Sequence, residues 1–421
     1  MSINTVRGMK DLLPPETFLW LRVEKRIRNH FLSRGYLEIR TPVLEKSELF
    51  VRSIGETTDI VEKEMYTFAD KSGDLLTMRP EGTAPVVRAY LENRGLLKET
   101  PARLFYLGPM FRHERPQKGR LRQFHQAGAE VLGSEAPYVD AEVLITLHDL
   151  FKGLGLRNLS LEVNSLGCSD CRPGYNRKLL KFTREVLADL CDDCNRRYER
   201  NPLRVLDCKS AKCIEVTKGA PAALDCLCRG CRDHFNEVMR ILAVHSVSCV
   251  VNSRMVRGLD YYEKTTFEFL SGALGSQNAV AAGGRFDGLA EMIGSKDRVP
   301  GVGFAMGMER LIMLLGSGDE QESLYGTPTL FIAQQTKEFR DEAFVLKRNL
   351  EERGLFCEMD YEGKSLKSQM RKANRINAGF VIIIGEAEMK KGLVRMKNMA
   401  TGDEKNVSRE DIVRAVVEQV K

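Results

Sequence analysis

Between Arg103 and Val131 the chain reads RLFYLGPMFRHERPQKGRLRQFHQAGAEV. Arg115, Lys118, Arg120 and Arg122 put four cations into the ten residues from His113 to Arg122, a density suited to phosphate oxygens. Just beyond them Gln126 and Glu130 flank Gly128 at every second position. In a strand these three share a face, with bare backbone between an amide and a carboxylate, which suits a pocket floor under a small polar ligand. The plain alternative is a solvated hairpin tip above a buried Gln–Glu pair. Glu81 and Thr83, in Pro80-Glu81-Gly82-Thr83, offer acceptors to an ammonium group,. They could equally be the capping groups of the helix that follows. Arg257 opens the run Arg257-Gly258-Leu259-Asp260-Tyr261-Tyr262 and brings a permanent charge that can grip carboxylate or phosphate with two bonds,. Tyr261 and Tyr262 add phenol hydroxyls, and the plain alternative is a strand edge with an aromatic pair. Arg310, in GVGFAMGMERLIMLL, would on its own be a surface charge of a helix.

The surrounding pattern supplies the elements that must hold these groups. Tyr106, Gly108, Met110 and Arg112 alternate along a strand that runs into the cationic loop, which is too long for a tight hairpin,. The returning strand sets His125, Ala127, Ala129 and Val131 opposite the Gln126–Glu130 face, a side fit to pack on a helix. A helix is expected from roughly Pro15 to Ser33, where Trp20, Val23, Ile27 and Phe31 repeat on one side,. TFAD, LLTMRP, SLEVNSL and TTFEFL read as further strands,. AAGGRFDGL, residues 281–289, reads as a glycine-rich turn entering a helix. The 301–315 run reads as a strand and then a helix from near Met306, with Met313 and Leu314 facing the core. The polar stretch 316–328 reads as a linker. Beyond it strands alternate with helices, and KGLVRMKNM reads as a sheet-edge strand. There Lys364, Lys367, Arg371 and Arg375 share one helix face, opposite Leu366, Met370 and Ala373,.

A chain of 421 residues is too long for one ordinary core, so two or three domains are expected,. Hydrophobic residues at 43% and charged ones at 29% fit a globular protein, and a net charge of +6 permits a polyanionic partner,. No apolar run reaches membrane-spanning length, and MSINTVRGMKDLLPP has no apolar signal segment, so a cytoplasmic location and no membrane partner are expected,. Of 11 cysteines, nine lie between Cys168 and Cys231. In that setting thiols or metal are favoured over disulfides. The spacing of Cys168 with Cys171, Cys191 with Cys194 and Cys228 with Cys231, together with Cys208 and Cys213, offers thiolates for tetrahedral Zn2+ in an open pairing,. The alternative is buried or idle thiols.

Taken together, the 103–131 run resembles motif 2 of the class II aminoacyl-tRNA synthetases, and GPMFRHERPQKGRLRQFHQ is similar to the histidyl-tRNA synthetases in particular. RGMKDLLP at 7–14, the PEGT turn, RGLDYY, AAGGRFDGL and the motif 3 run at 301–315 extend the resemblance along nearly the whole chain. It implies an α/β fold with three parts: an antiparallel-sheet catalytic domain over residues 1–325, a Cys-rich helical insertion at 168–245 within it, and a C-terminal α/β anticodon-binding domain at 328–421. It implies ATP-dependent ligation of L-histidine to tRNA(His) through a histidyl-adenylate, with Mg2+, in a homodimer whose interface is built on the first helix and strand. Arg112 and Arg257 would act on the α-phosphate and Arg310 on the γ-phosphate. Glu81, Thr83 and Gln126 would hold the amino group, and Glu130 with Tyr261 and Tyr262 the imidazole. Arg115, Gln117 and Arg120 would meet the tRNA acceptor end, and Lys367 and Arg371 its phosphates. The family's insertion also exists without these cysteines, so zinc would be structural and dispensable to the chemistry. Two rivals are a catalytically inert regulatory paralogue, which would lack the C-terminal domain, and an RNA-binding module that makes no adenylate.

Overall fold

The computed structural model describes residues 3–56, 58–94, 101–199, 201–208, 210–256, 258–275, 278–316 and 330–420. The chain divides into two compact units, residues 1–319 and 320–421. The expected linker, from residue 317 on, lies outside the described residues.

The first unit is built on an eight-stranded sheet. Its middle six strands run antiparallel in the order 102–111, 123–132, 301–307, 279–285, 263–270 and 160–165. A two-residue parallel strand closes each edge, Leu37–Glu38 at one side and Val250–Val251 at the other. One face of the sheet packs on helices, as its alternation demands. Trp20, Val23, Ile27 and Phe31 of helix Glu16–Leu32 are buried against Ala127, Ala129 and Val131. The Trp20 ring meets His125 edge-on at 5.1 Å. Helices Pro137–Gly153 and Arg229–Val244 cover the rest of that face.

Several local expectations change. Residues 279–285 form a central strand, where a glycine turn was expected, and the helix after it is only Leu289–Met292. A Cβ on Gly283 would stand 2.2 Å from the Gly303 carbonyl oxygen, so its bareness serves strand packing. The helix after strand Gly301–Gly307 starts at Met308, and its buried side is Met308, Leu311 and Ile312. Leu314, half-buried, packs against the core as expected, whereas half-buried Met313 lies against Gly119 of the cationic loop. The helical insertion expected at 168–245 includes helices Cys171–Glu185 and Arg229–Val244.

The second unit is a five-stranded sheet in the order 357–359, 330–334, 380–384, 393–398 and 404–408. The 393–398 strand is therefore interior. The edge is Glu404–Ser408, whose polar sequence gave no strand signal. Helix Leu366–Arg375 leaves Lys367, Arg371 and Arg375 exposed and buries Gln369 and Ala373.

A buried ion network locks the 279–285 strand to helix Pro137–Gly153. Arg285, fully buried, donates to Asp140 at 3.1 Å and to Asp287 at 2.8 Å, and His234 meets Asp140 at 3.1 Å. Burial pushes the Asp140 carboxyl up, but His234 and Arg285 outweigh it and hold the group below its ordinary value. The stability it adds is complete above the unfolded value of about 3.9 and is lost as pH falls through the lower folded one. Asp140→Ala leaves buried Arg285 with Asp287 as its remaining carboxylate and removes the partner of His234, so urea unfolding at pH 7 should show a loss of roughly 3 kcal/mol, the low end for a broken buried pair. A loss below 1 kcal/mol would mean that the network is solvated.

Candidate active site

On the sheet face opposite the helices lies a cavity of about 480 Å³, within the range of small-molecule sites,. It gathers residues far apart in sequence: Glu81 and Thr83, Arg112 and Arg120, Gln126, Tyr261 and Tyr262, and Arg310. Each is set by a definite element. Register pairs Gln126 with Gly108 on one side and Gly307 on the other, which fixes it mid-sheet. Helix Thr83–Glu92 starts at the cavity, and the Glu81 carboxylate caps it by accepting the N–H groups of Thr83 at 2.7 Å and Ala84 at 2.8 Å. Capping and a ligand role are thus compatible here, since a carboxylate has further lone pairs.

One end of the cavity is a buried polar floor. The Thr83 hydroxyl donates to Glu130 at 2.7 Å, and the Tyr261 hydroxyl reaches Glu81 at 3.5 Å. Glu130 is fully buried and lies over Gly303, where any Cβ would stand 1.7 Å from its Oε2. It sits behind the cavity wall, next to Thr83. The expectation of bare floor at Gly128 is corrected: the Tyr106 ring covers it, 2.4 Å from where a Cβ would be, and covers Gly82 likewise at 2.2 Å. Three buried polar atoms here have no hydrogen-bond partner among the described residues: Gln126 Oε1, Glu130 Oε2 and the Tyr106 hydroxyl. Such atoms are costly unless something binds them. Burial raises Glu81 and Glu130 above the usual carboxylate range, Glu130 well above it. Burial likewise raises the phenols of Tyr106 and Tyr261. A floor of buried carboxyls and phenols, with acceptors left unpartnered, favours a hydrogen-bonding or cationic guest,.

The other end is cationic. Arg112 donates to the Pro80 carbonyl at 2.9 Å and lies 5.3 Å from the Phe124 ring centroid. Arg310 is tied to the carbonyls of Gly119 at 3.2 Å and Ala279 at 2.7 Å. Burial, then Arg120, lowers the Arg310 guanidinium, a repulsion that an anion placed between them would relieve. Arg120 is held by the carboxylate of Glu114. Arg112 acts electrostatically on both Glu81 and Arg310, so it links the two ends.

The loop holding Arg115, Gln117 and Lys118 leaves all three exposed, outside the cavity. Within it Gln117 and Arg120 exchange two backbone bonds around Gly119 at φ +73, a tight turn inside the long connection. Arg257 lies outside the described residues, though Val256 and Gly258 beside it line the cavity. Phe124, Glu114, Glu268 and Asp207 line it too and were not singled out from sequence. Phe124 shares the strand face of Gln126, and Glu268 alternates in TTFEFL, so both had a signal. Asp207, from the insertion, had none.

The cysteines resolve into two groups of four: Cys168, Cys171, Cys228 and Cys231, and Cys191, Cys194, Cys208 and Cys213. Within each, the sulfurs lie within 4.8 Å of one another. The Cys168–Cys171 and Cys191–Cys208 separations are 3.7 and 3.8 Å. Zinc–sulfur bonds of about 2.3 Å give a tetrahedron edge of roughly 3.8 Å, whereas a disulfide needs about 2.05 Å. Backbone N–H groups of Cys228 and Cys191 also point at sulfurs across each group, at 3.0 and 3.2 Å. Both sets therefore fit Zn2+.

Comparison with known proteins agrees with this geometry. A family model described as histidyl-tRNA synthetase matches residues 8–170 and 199–311, and one described as an anticodon binding domain matches 329–419. The chain is 54% identical over 400 residues to the histidine–tRNA ligase of Geobacter sulfurreducens, covering 95% of this chain and 96% of that one. It is 49% identical over 421 residues to that of Syntrophotalea carbinolica, covering 100% of both. Its fold is similar to the crystal structure of apo histidyl-tRNA synthetase from S. aureus, at a TM-score of 0.83 and 32% identity, covering 99% of this chain and 100% of that one.

Glu130 supplies a test of the floor. Its carboxyl is raised in the folded state, so the folded chain holds the extra proton. Stability from this group is full below the unfolded value of about 4.3 and falls as pH rises toward the folded value. Glu130→Gln keeps the shape and an acceptor for Thr83. Denaturant melts from pH 4 to 8 should show the variant losing less stability with rising pH than the wild type. A variant that is less stable at every pH, with unchanged slope, would mean that Glu130 is ionised in the fold.

Proposed function

The chain belongs to the histidyl-tRNA synthetase family, and we propose that its cavity seats L-histidine on the buried floor and ATP across the arginines. It is an enzyme that joins histidine to tRNA. The observation that carries the assignment of ends is the cavity itself, with the unpartnered Gln126 Oε1 beside Glu81 and Thr83 at one end and three guanidinium groups at the other.

In this reading the ammonium group of histidine is held by Glu81, Thr83 and Gln126. Its charge favours the ionised form of Glu81, against the upward push of burial,. The imidazole lies toward the phenols of Tyr261 and Tyr262, with Glu130 behind Thr83 as the acceptor at the back of the pocket and Tyr106 beneath. The carboxylate then lies beside Arg112, next to the α-phosphate of ATP. Adenine stacks on Phe124, whose ring lies under Arg112,. Arg310 and Arg120 meet the outer phosphates. Arg120, expected at the tRNA, is placed with ATP because it lines the cavity.

The histidine carboxylate oxygen attacks the α-phosphorus. The bond to the β-phosphate oxygen breaks, and pyrophosphate leaves. Charge grows on the α-phosphate oxygens in the pentacovalent state, where Arg112 and Arg257 neutralise it. The role of Arg257 rests on its sequence position. The terminal ribose hydroxyl of the tRNA next takes the histidyl group, releasing AMP. No general base is required for the first step, so catalysis is positioning plus charge neutralisation. Mg2+, when bound, offsets phosphate charge, and Glu268 in the cavity wall is the carboxylate proposed to hold it,.

The exposed Arg115 and Gln117 are proposed for the acceptor end of tRNA(His), and Lys367 and Arg371 for its anticodon-arm phosphates. A homodimer is supported by Leu21, Leu32 and Leu37, apolar yet exposed on the first helix and strand,. No described helix is long and apolar enough to cross a membrane. Each four-cysteine group is proposed to hold one structural Zn2+.

Histidine-dependent pyrophosphate exchange tests the assignment. Arg257→Ala and Arg112→Ala should each lose about 2.7–4 kcal/mol of transition-state stabilisation, and in Arg257→Ala histidine affinity should change much less. Exchange at the wild-type rate would remove that residue from the mechanism. Separately, Lys367→Ala with Arg371→Ala should lower the slope of log affinity against log salt for tRNA by roughly 2 and leave exchange untouched. An unchanged slope would return the stripe to a solvated face.

A further inference from the structure

We infer that the two four-cysteine groups act as clamps whose bound zinc positions the histidine-pocket segment at 258–262, which makes histidine binding metal-dependent. This rests on the reading above that both groups hold zinc. It replaces the expectation that the metal is dispensable to the chemistry.

The segment has no regular secondary structure, so its backbone polar groups need partners from elsewhere,. The insertion supplies several. Arg172, next to the ligand Cys171, donates to the carbonyls of Asp260 at 3.4 Å and of Tyr262. Arg204 donates to the Gly258 carbonyl at 2.7 Å. Asn201 donates to the Asp260 carboxylate at 3.1 Å. Asn201 and Arg204 both lie between Cys194 and Cys208 of the other group. Three alternate carbonyls of the segment, at 258, 260 and 262, thus hang on side chains from the two cysteine-bounded stretches. Asp207, which precedes Cys208, is itself part of the cavity wall.

Part of the insertion packs directly on the segment: Tyr175, Leu179, Leu206 and Ala223 share one buried cluster with Tyr261 and Tyr262. Around the cysteine groups themselves the apolar clusters are small, with Leu190, Cys194, Val205 and Cys213 buried in one and Cys171, Leu227 and Cys231 in the other. Cysteine makes up much of both, and clusters this small need a staple. Metal binding then becomes local folding energy. The first group also sits at the stem. Gly167, at φ +69, packs against Cys171, and its carbonyl accepts the Lys264 N–H at 2.8 Å, two residues after Tyr262. Displacement at the stem is thereby transmitted to both ends of the Tyr261–Tyr262 step. Arg172 and Arg204 do not line the cavity, so they are positioning residues.

The experiment uses the full chain as purified. Elemental analysis should find two zinc ions per chain. After a chelator is applied and removed and Mg2+ restored, calorimetric titration should show histidine binding weakened, by up to about 100-fold. The ATP KM should stay near its wild-type value, and added Zn2+ should restore histidine affinity. Arg172→Gln, which leaves every cysteine in place, should keep both zinc ions and raise the histidine KM, and Arg172→Lys should recover part of it. Protein that is purified without zinc overturns the metal reading and the inference with it. Two bound zinc ions, with histidine affinity unchanged both on stripping and in Arg172→Gln, leave the metal reading standing and overturn the coupling.

Discussion

The Thr83 hydroxyl donates to a carboxyl that is wholly buried in the middle of a sheet, that of Glu130. That bond joins the start of a helix to the strand beneath it, and the floor of the cavity is built around it. Glu130 is accommodated because Gly303, directly across the ladder, has no side chain. The Tyr106 ring fits beside it because Gly82 and Gly128 are equally bare. A methyl group at any of these positions would collide with the ring or the carboxyl. The glycines thus serve as space for polar side chains, and only indirectly as space for a ligand.

Charge is sorted along the cavity by the same economy. Carboxyls deep in the sheet are raised by burial, while the guanidinium groups sit on a loop and at a helix start, closer to water. Arg112 is the hinge between the two regimes. Its contact with the Pro80 carbonyl ties the cationic end to the turn that carries Glu81. A ligand with an ammonium at one end and a carboxylate at the other would bridge these groups in that order, with its reacting carboxylate delivered to the arginines.

Much of this was legible in the sequence because strand alternation has period two. The helix-packed face of Ala127, Ala129 and Val131 and the polar face of Gln126 and Glu130 both follow from it, and the structure keeps both. The burial of Trp20, Val23, Ile27 and Phe31 follows from the helical period in the same way. What escaped depends on neighbours distant in sequence. Tyr106 over Gly128 is a cross-strand register, which a single strand does not encode. Residues 279–285 look like a turn because a strand packed this closely needs glycine, and glycine is also the mark of turns. Residues 404–408 are polar because an edge strand can afford to be. The cysteine spacing implied metal chemistry, but how the pairs combine depends on how the insertion folds back on itself.

The two kinds of support in the site differ in how they tolerate change. Gln126 and Glu130 ride on a ladder bonded on both sides, so their positions are fixed by the same hydrogen bonds that make the sheet. Tyr261 and Tyr262 ride on a segment whose carbonyls are held by long side chains from an insertion. Each of those bonds costs side-chain entropy, and each comes from a stretch that ends at a small, cysteine-rich cluster,. Gln126, proposed for the amino group, and Glu130, proposed for the imidazole, are therefore on the rigid part. The phenols proposed for the imidazole are the parts whose placement is delegated, and they are the ones most exposed to whatever keeps the insertion folded.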